Sequence, residues 1–133
     1  MVSKRWIHSN TCIYKIGYHL IWCPKYRRKV LVGSVATRLR QLLNQKAKEI
    51  DTKIETMEIL EDHIHLFVKT KPIASPHWIV QQFKGYSSHT LRKEFPHLKS
   101  RLPTLWTRSY YCESVGHISE DSVKKYIEDQ TGK

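Results

Sequence analysis

The clearest pattern along the chain is an alternation near its start. Between Cys12 and Cys23 the even positions Cys12, Tyr14, Ile16, Tyr18, Leu20 and Trp22 are all apolar or aromatic, while Lys15 and His19 fall on the other side. Side chains of a strand alternate between faces, so this period of two, ending at Pro24, predicts a half-buried strand. A basic loop follows, Lys25-Tyr26-Arg27-Arg28-Lys29. From Ser34 to Ile50 the period changes: Val35, Leu39, Leu42, Leu43 and Ala47 recur at three and four, the stripe of an amphipathic helix, with Ser34 after Gly33 available as N-cap.

Further on, Ile54 to Ile59 reads as a second strand and Glu61 to Val68 as a third, with Asp62 close to the turn between them. Ser75-Pro76 opens another helix, a cap followed by proline at the first helical position. Its stripe is Ile79, Phe83 and Tyr86, and Phe95-Pro96 ends it. A basic, irregular region leads to Trp106, and Ser109 to Val115 reads as a fourth strand. Ser119-Glu120-Asp121 places a cap and two acids at the start of a last helix, over about 119–131. The order β-α-β-β-α-β-α predicts an α+β fold of the ferredoxin-like (RRM-like) split-βαβ type with an added C-terminal helix, and no linker or repeat divides residues 1–133 into more than one domain.

Charge sharpens the picture. Lys and Arg number 23 against 12 Asp and Glu, a formal +11, and eleven of the basic residues precede the first acid, Glu49. Such a field attracts polyanions, of which nucleic acid is the commonest, although a solvated basic surface would look the same. No apolar run approaches the ~20 residues of a membrane span and the start lacks a signal-peptide core, so a cytoplasmic location is expected, associated with the nucleoid when bound to DNA. Cys12, Cys23 and Cys112 fit neither a disulfide framework nor a zinc site and read as buried free thiols.

Two local features could carry chemistry. In His63-Ile64-His65 both imidazoles project from one face of a strand, about 6.6 Å apart, and can converge on one metal; half-exposed strand histidines are the bland alternative. Tyr126 and Gln130, four apart, share a face of the last helix. A tyrosine hydroxyl can attack phosphorus if a nearby cation, a metal or Lys124 and Lys125, activates it; the alternative is a ring packed on the sheet.

The combination is more specific than its parts. Tyr18-His19-Leu20-Ile21-Trp22-Cys23-Pro24-Lys25-Tyr26-Arg27, Asp62-His63-Ile64-His65-Leu66, Phe83-Lys84-Gly85-Tyr86-Ser87-Ser88, Leu91-Arg92, Leu105-Trp106, Tyr110-Tyr111, Ser114-Val115-Gly116 and Tyr126-Ile127-Glu128-Asp129-Gln130 occur in this order. Together they resemble the TnpA transposases of the insertion-sequence 200/605 group, small HUH (His-hydrophobic-His) enzymes with one catalytic tyrosine, over about Cys12 to Gln130.

The resemblance implies an enzyme that cuts and rejoins single-stranded DNA at the ends of its element, recognises hairpins there, and works as a homodimer in which the tyrosine helix of one protomer can complete the other's site. It implies Tyr126 as nucleophile, giving a 5′-phosphotyrosine, and His63, His65 and Gln130 as ligands of a divalent metal ion, Mg²⁺ or Mn²⁺, with Asp62 as an extra or alternative oxygen ligand although alternation points it to the opposite face. Two imidazoles and an amide are not the all-oxygen shell of Mg²⁺, so Mn²⁺ is expected to serve at least as well.

DNA contacts are expected from the basic N-terminal third, Lys25, Arg27 and Arg28 among it, and from Lys84, Arg92, Lys93, Lys99 and Arg101, with Tyr26, Tyr86, Trp78 and Trp106 as stacking candidates against the alternative of core packing. His19, on the polar side of its strand, is a candidate for the face of the His pair or for a structural role. Two other functions compete: a relaxase or rolling-circle nuclease, which is usually longer, and a non-catalytic single-stranded nucleic-acid-binding domain, weakened by the absence of an RNP1-like run. Loss of a covalent adduct on Tyr126→Phe separates the catalytic readings from the last.

Overall fold

The computed structural model describes residues 7–8, 13–14, 16–71, 73–114 and 126–130. Their strands are β1 (Ile7–His8), β2 (Ile13–Tyr14), β3 (Gly17–Trp22), β4 (Lys53–Leu60), β5 (His63–Lys69) and β6 (Tyr111–Ser114); their helices are α1 (Gly33–Glu49), α2 (Pro76–Glu94) and a short α3 (Pro96–Arg101). β1 and β2 form a small hairpin, and the other four strands make one antiparallel sheet in the order β4-β5-β3-β6. With α1 joining β3 to β4 and α2 preceding β6, this is the expected α+β, ferredoxin-like arrangement. Among the described residues no helix is long and apolar enough to cross a membrane.

Alternation decides which way each strand faces. On β5, Ile64, Leu66 and Val68 are buried among side chains of α1 and α2, together with Leu20 and Trp22 of β3. The α1 stripe is buried as the spacing predicts, at Val35, Leu39, Leu42, Leu43 and Ala47, and α2 buries Ile79 and Phe83, with Tyr86 half-buried. His19, Ile21, His63, His65 and Phe67 occupy the other face, since β3 pairs His19 with Phe67 and Ile21 with His65.

Several boundaries differ from expectation. The strand read from Cys12 is divided: Ile13–Tyr14 pairs with β1, and the sheet strand begins at Gly17. α1 starts two residues before a Ser34 cap would allow, after Val32, with no side-chain cap; Gly33, at φ +56°, makes the entry in a backbone region glycine adopts without steric cost. Ser75 caps α2 as expected, its Oγ accepting from the Trp78 N–H at 3.1 Å. The region before Trp106 is not irregular throughout, because Pro96 at a first-turn position opens α3. Trp106 is not a stacking surface. It is 5 % exposed, stands edge-on to Trp22 at 6.0 Å and donates Nε1–H to Ser87 Oγ at 3.1 Å, so its large apolar ring belongs to the core. Trp78 and Tyr26 remain exposed, whereas the Tyr86 hydroxyl donates to Gln45 Oε1. Cys23 is a buried free thiol and Cys112 a half-buried one; Cys12 and the expected start of the last helix at Ser119 lie outside the described residues.

Candidate active site

The histidine pair sits where strand geometry puts it, on the sheet face away from α1 and α2. Asp62, in the turn between β4 and β5, lies with Oδ1 2.8 Å from His63 Nδ1. An ionised carboxylate can only accept, so Nδ1 carries the proton and the lone pair of Nε2 is left for another partner. Burial alone would raise the Asp62 carboxyl, but the bond to His63 and the Arg27 guanidinium hold it below the usual range. This is the carboxylate–histidine arrangement that orients a metal-ligating imidazole, so Asp62 supports His63 through its other ring nitrogen.

His65 has a different neighbour. Its Nε2 lies 3.2 Å from His19 Nδ1, and the His19 ring stacks on Phe67 at 4.8 Å between centroids. Burial lowers the His65 imidazole below its ordinary value, and the nearby His19 and His63 reinforce this against Glu58. A third imidazole therefore shares the face, as alternation along β3 allowed.

Arg27 connects this face to the C-terminal segment. Tyr26 and Arg27 both have positive φ, 59° and 52°, a conformation that costs an ordinary residue roughly 1–2 kcal/mol. The turn aims the Arg27 guanidinium two ways: Nε donates to Asp62 Oδ2 at 2.9 Å, and Nη1 donates to the carbonyl of Ile127 at 3.1 Å. Residues 126–129 are helical, so one side chain ties the partner of His63 to the helical turn that carries Tyr126.

Tyr126 is half-buried, with its ring 5.7 Å from that of Tyr111 on β6 and its hydroxyl 3.4 Å from Ser109 Oγ. Burial pushes its phenol up to about 12, against opposing hydrogen bonds to Ser109 and Thr107. Gln130 is almost wholly buried; its Oε1 accepts from Ser109 Oγ at 2.9 Å and its Nε2 donates to the Tyr126 carbonyl at 3.2 Å. The structure thus brings Tyr126 and Gln130 together and links them, through Arg27, to Asp62 and His63, while the amide oxygen of Gln130 is taken by Ser109. Among the described residues no three His, Cys, Asp or Glu side chains form a metal-holding group. The donors this face offers are the imidazoles of His63 and His65, nitrogen ligands that suit a borderline divalent ion.

The basic residues divide into two kinds. Arg27 is committed as described, Arg92 Nη2 donates to the Leu102 carbonyl at 3.2 Å, and Lys84 Nζ donates to the carbonyls of Thr107 at 2.5 Å and Ser109 at 3.3 Å. Burial lowers Lys84 to about 8. Arg28 is exposed, and Lys25 lies over the Tyr26 ring, 5.2 Å from its centroid. A groove along α2 and α3 collects Arg92, Lys93 and Lys99 with His89. Cys23, within reach of Asp62, Arg27 and Lys84, is pushed up to about 12 by burial and by the charge of Asp62, which makes it inert as a nucleophile. Ser109 is the participant that sequence reasoning missed. Its only sequence signal is its place just before Tyr110-Tyr111, within a segment read as a strand.

Comparison with known proteins finds relatives of one family. A family model described as "Transposase IS200 like" matches residues 12–130. The chain is 37% identical over 123 residues, 91% of its length and 88% of the relative's, to the ISDra2 transposase TnpA of Deinococcus radiodurans. It is 30% identical over 117 residues, 84% of its length and 77% of the relative's, to the transposase for insertion sequence element IS200 of Salmonella typhimurium. Among solved structures, a Deinococcus radiodurans protein assigned as a transposase superposes with a TM-score of 0.86 at 33% identity, covering 93% of this chain and 97% of that one. A REP-associated tyrosine transposase bound to a REP hairpin shares the fold, with a TM-score of 0.59 at 11% identity over 92% of this chain and 69% of the other.

Proposed function

Because the chain belongs to the IS200-like transposases, we propose that it cuts and rejoins single-stranded DNA at the ends of an insertion sequence by tyrosine transesterification, recognising hairpins near those ends. The observation that carries this reading is the Arg27 bridge, which joins the carboxylate holding His63 to the helical turn of Tyr126. In the proposed step, Tyr126 Oη attacks the scissile phosphorus in line, a P–Oη bond forms as the P–O3′ bond breaks, and the leaving 3′-oxygen takes up a proton. The products are a 5′-phosphotyrosine and a free 3′-hydroxyl. The bond energy is kept in the phosphotyrosine ester, so a second 3′-hydroxyl can reverse the exchange without ATP.

The residues on this face would share the remaining work. His63 and His65, with the Gln130 amide, would hold a divalent metal ion, Mg²⁺ or Mn²⁺. Such an ion supplies Lewis-acid polarisation of the scissile phosphate and offsets charge developing on it. Asp62 fixes the tautomer and orientation of His63; against burial, His63 and then Arg27 keep Asp62 ionised, and Arg27 also anchors the turn. At neutral pH the phenol is protonated where it stands, with its pKa at about 12, so it loses its proton only as it engages the phosphate. The exposed cations, Arg28 and the α2–α3 groove, are the surface on which we place the DNA backbone. We place the active unit as a homodimer on the family's pattern.

The test uses single-stranded oligonucleotides copied from the two flanks of this protein's own gene, with Mn²⁺ or Mg²⁺. The expected result is a denaturation-resistant protein–DNA adduct on one strand, absent without metal and absent in Tyr126→Phe, with DNA binding retained by that variant. Mn²⁺ is expected to support it at least as well as Mg²⁺. Binding with no adduct under any metal would leave a nucleic-acid-binding domain without this chemistry.

A further inference from the structure

Resting on the transesterification reading, we propose that Ser109 is a positioning residue that sets Tyr126 and Gln130 against the histidine face, and that Lys84 acts through it. One hydroxyl serves both side chains: Ser109 Oγ donates to Gln130 Oε1 at 2.9 Å and lies 3.4 Å from Tyr126 Oη. The other end of the Gln130 amide returns to the Tyr126 carbonyl, so Ser109, Gln130 and Tyr126 close a ring of hydrogen bonds around a single helical turn. Arg27 holds only the backbone of that turn, at Ile127. It fixes where the turn lies; the Ser109 hydroxyl fixes the rotation of Gln130 and, together with Thr107 at the phenol, that of Tyr126.

Ser109 can do this because its own backbone is held. Lys84, from α2, donates to the carbonyls of Ser109 and Thr107, and the Thr107 hydroxyl donates to the Ser109 carbonyl at 3.3 Å. The Thr107 N–H in turn donates to the carbonyl of Cys23 at 3.0 Å, just past the end of β3. A continuous run of hydrogen bonds therefore leads from the central strand and α2 to the nucleophile. It accounts for a lysine kept half-buried with its ammonium turned inward, although burial works against its charge. In this arrangement Lys84 is a residue of the site's framework, acting at one remove from the DNA.

The experiment compares Ser109→Ala, Ser109→Thr, Lys84→Met and the Ser109→Ala/Lys84→Met double variant, with the flank oligonucleotides and Mn²⁺. It reads adduct formation in a single turnover and, on DNA-free protein, hydrogen exchange at residues 126–130. Misplacement of a reacting group by about an ångström costs up to ~10²-fold, so Ser109→Ala is expected to slow adduct formation about 10- to 100-fold at saturating DNA. The oligonucleotide concentration for half-maximal rate should stay within about twofold, as positioning predicts and loss of binding does not. Ser109→Thr, which keeps the hydroxyl, should restore the rate to within a few-fold. Lys84→Met should slow the reaction less than Ser109→Ala, and the double variant should be no slower than Ser109→Ala, because residues acting in series are non-additive. Exchange at 126–130 should rise in Ser109→Ala and Lys84→Met.

A wild-type rate for Ser109→Ala, multiplying effects in the double variant, or unchanged exchange at 126–130 would overturn the proposal. If the unmodified protein forms no adduct, the transesterification reading fails by itself and the exchange measurement decides on Ser109. Should Ser109→Ala fail to fold, Lys84→Met is judged by the same two readouts.

Discussion

One sheet carries two faces built from alternate residues of the same strands, and opposite rules furnish them. Toward α1 and α2, Leu20, Trp22, Ile64, Leu66 and Val68 are packed into one buried apolar cluster. On the other side, one residue along each time, stand His19, His63, His65 and Phe67, joined by hydrogen bonds and ring contacts to one another and to Asp62. The first face needs only volume and apolarity, and several residue types would satisfy it. The second needs particular atoms in particular tautomers. Moving one position along β5 exchanges a residue that holds the fold for one that holds the chemistry.

The comparison is broken most sharply by paired truncations. Phe83→Ala, which empties a fully buried site against Trp22, should cost about 3–5 kcal/mol in chemical denaturation. His63→Ala, on the other face, should cost no more than about 1 kcal/mol while reducing adduct formation about a hundredfold or more, roughly 3 kcal/mol of barrier. Added Mn²⁺ should raise the melting temperature of the unmodified protein and leave that of His63→Ala unchanged, since an ion that binds only the native state stabilises it. A His63 variant as unstable as Phe83→Ala would mean that the two faces do not divide the labour.

Lys84 sits where the division blurs, its stem rising from α2 and its ammonium among carbonyls of the site. Burial depresses its pKa from 10.5 to about 8. Between those values the unfolded chain holds a proton that the native protein has released, so this group makes stability rise with pH from about 8 to 10.5 and leaves it flat below. The difference in melting temperature between Lys84→Met and the unmodified protein should therefore change across pH 8–10 and be constant from pH 6 to 7.5. A constant difference throughout would show the ammonium to be solvated.

How far the sequence could be read follows the same division. The core face was legible because periodicity reports burial directly: the α1 stripe and the strand-long alternation at Ile64, Leu66 and Val68 are buried as spacing predicts. The His pair was legible for the same reason, since two apart on a strand means one face. Asp62 shows the limit. Alternation described its direction as though it lay in the strand, but it lies in the turn, free of that rule, and bonds His63. Arg27 was read only as a DNA contact and Ser109 was not read as a site residue, because each works through a backbone conformation or a partner far along the chain, Ile127 for one and Lys84 for the other, and periodicity carries no information about either. Trp106 stayed open between base stacking and core packing because a large aromatic in a basic segment has the same sequence signature either way, and the structure places it in the core.

The smallest effect is expected at the strained corner that feeds the histidine face. Tyr26 is 41 % exposed and holds φ 59°, a region that asparagine tolerates and a bulky aromatic does not. Tyr26→Asn should relieve part of that strain and stabilise the protein by roughly 0.5–1 kcal/mol, without moving the neighbouring Arg27 guanidinium from Asp62. If the tyrosine ring is retained there for a base to stack on, the same variant should weaken single-stranded DNA binding by about 1–3 kcal/mol. A more stable protein that binds DNA less well is the expected pairing. A more stable protein with unchanged affinity would give Tyr26 no part in recognition and leave the turn's strain to be explained by Arg27 alone, whose two hydrogen bonds require the same backbone conformation.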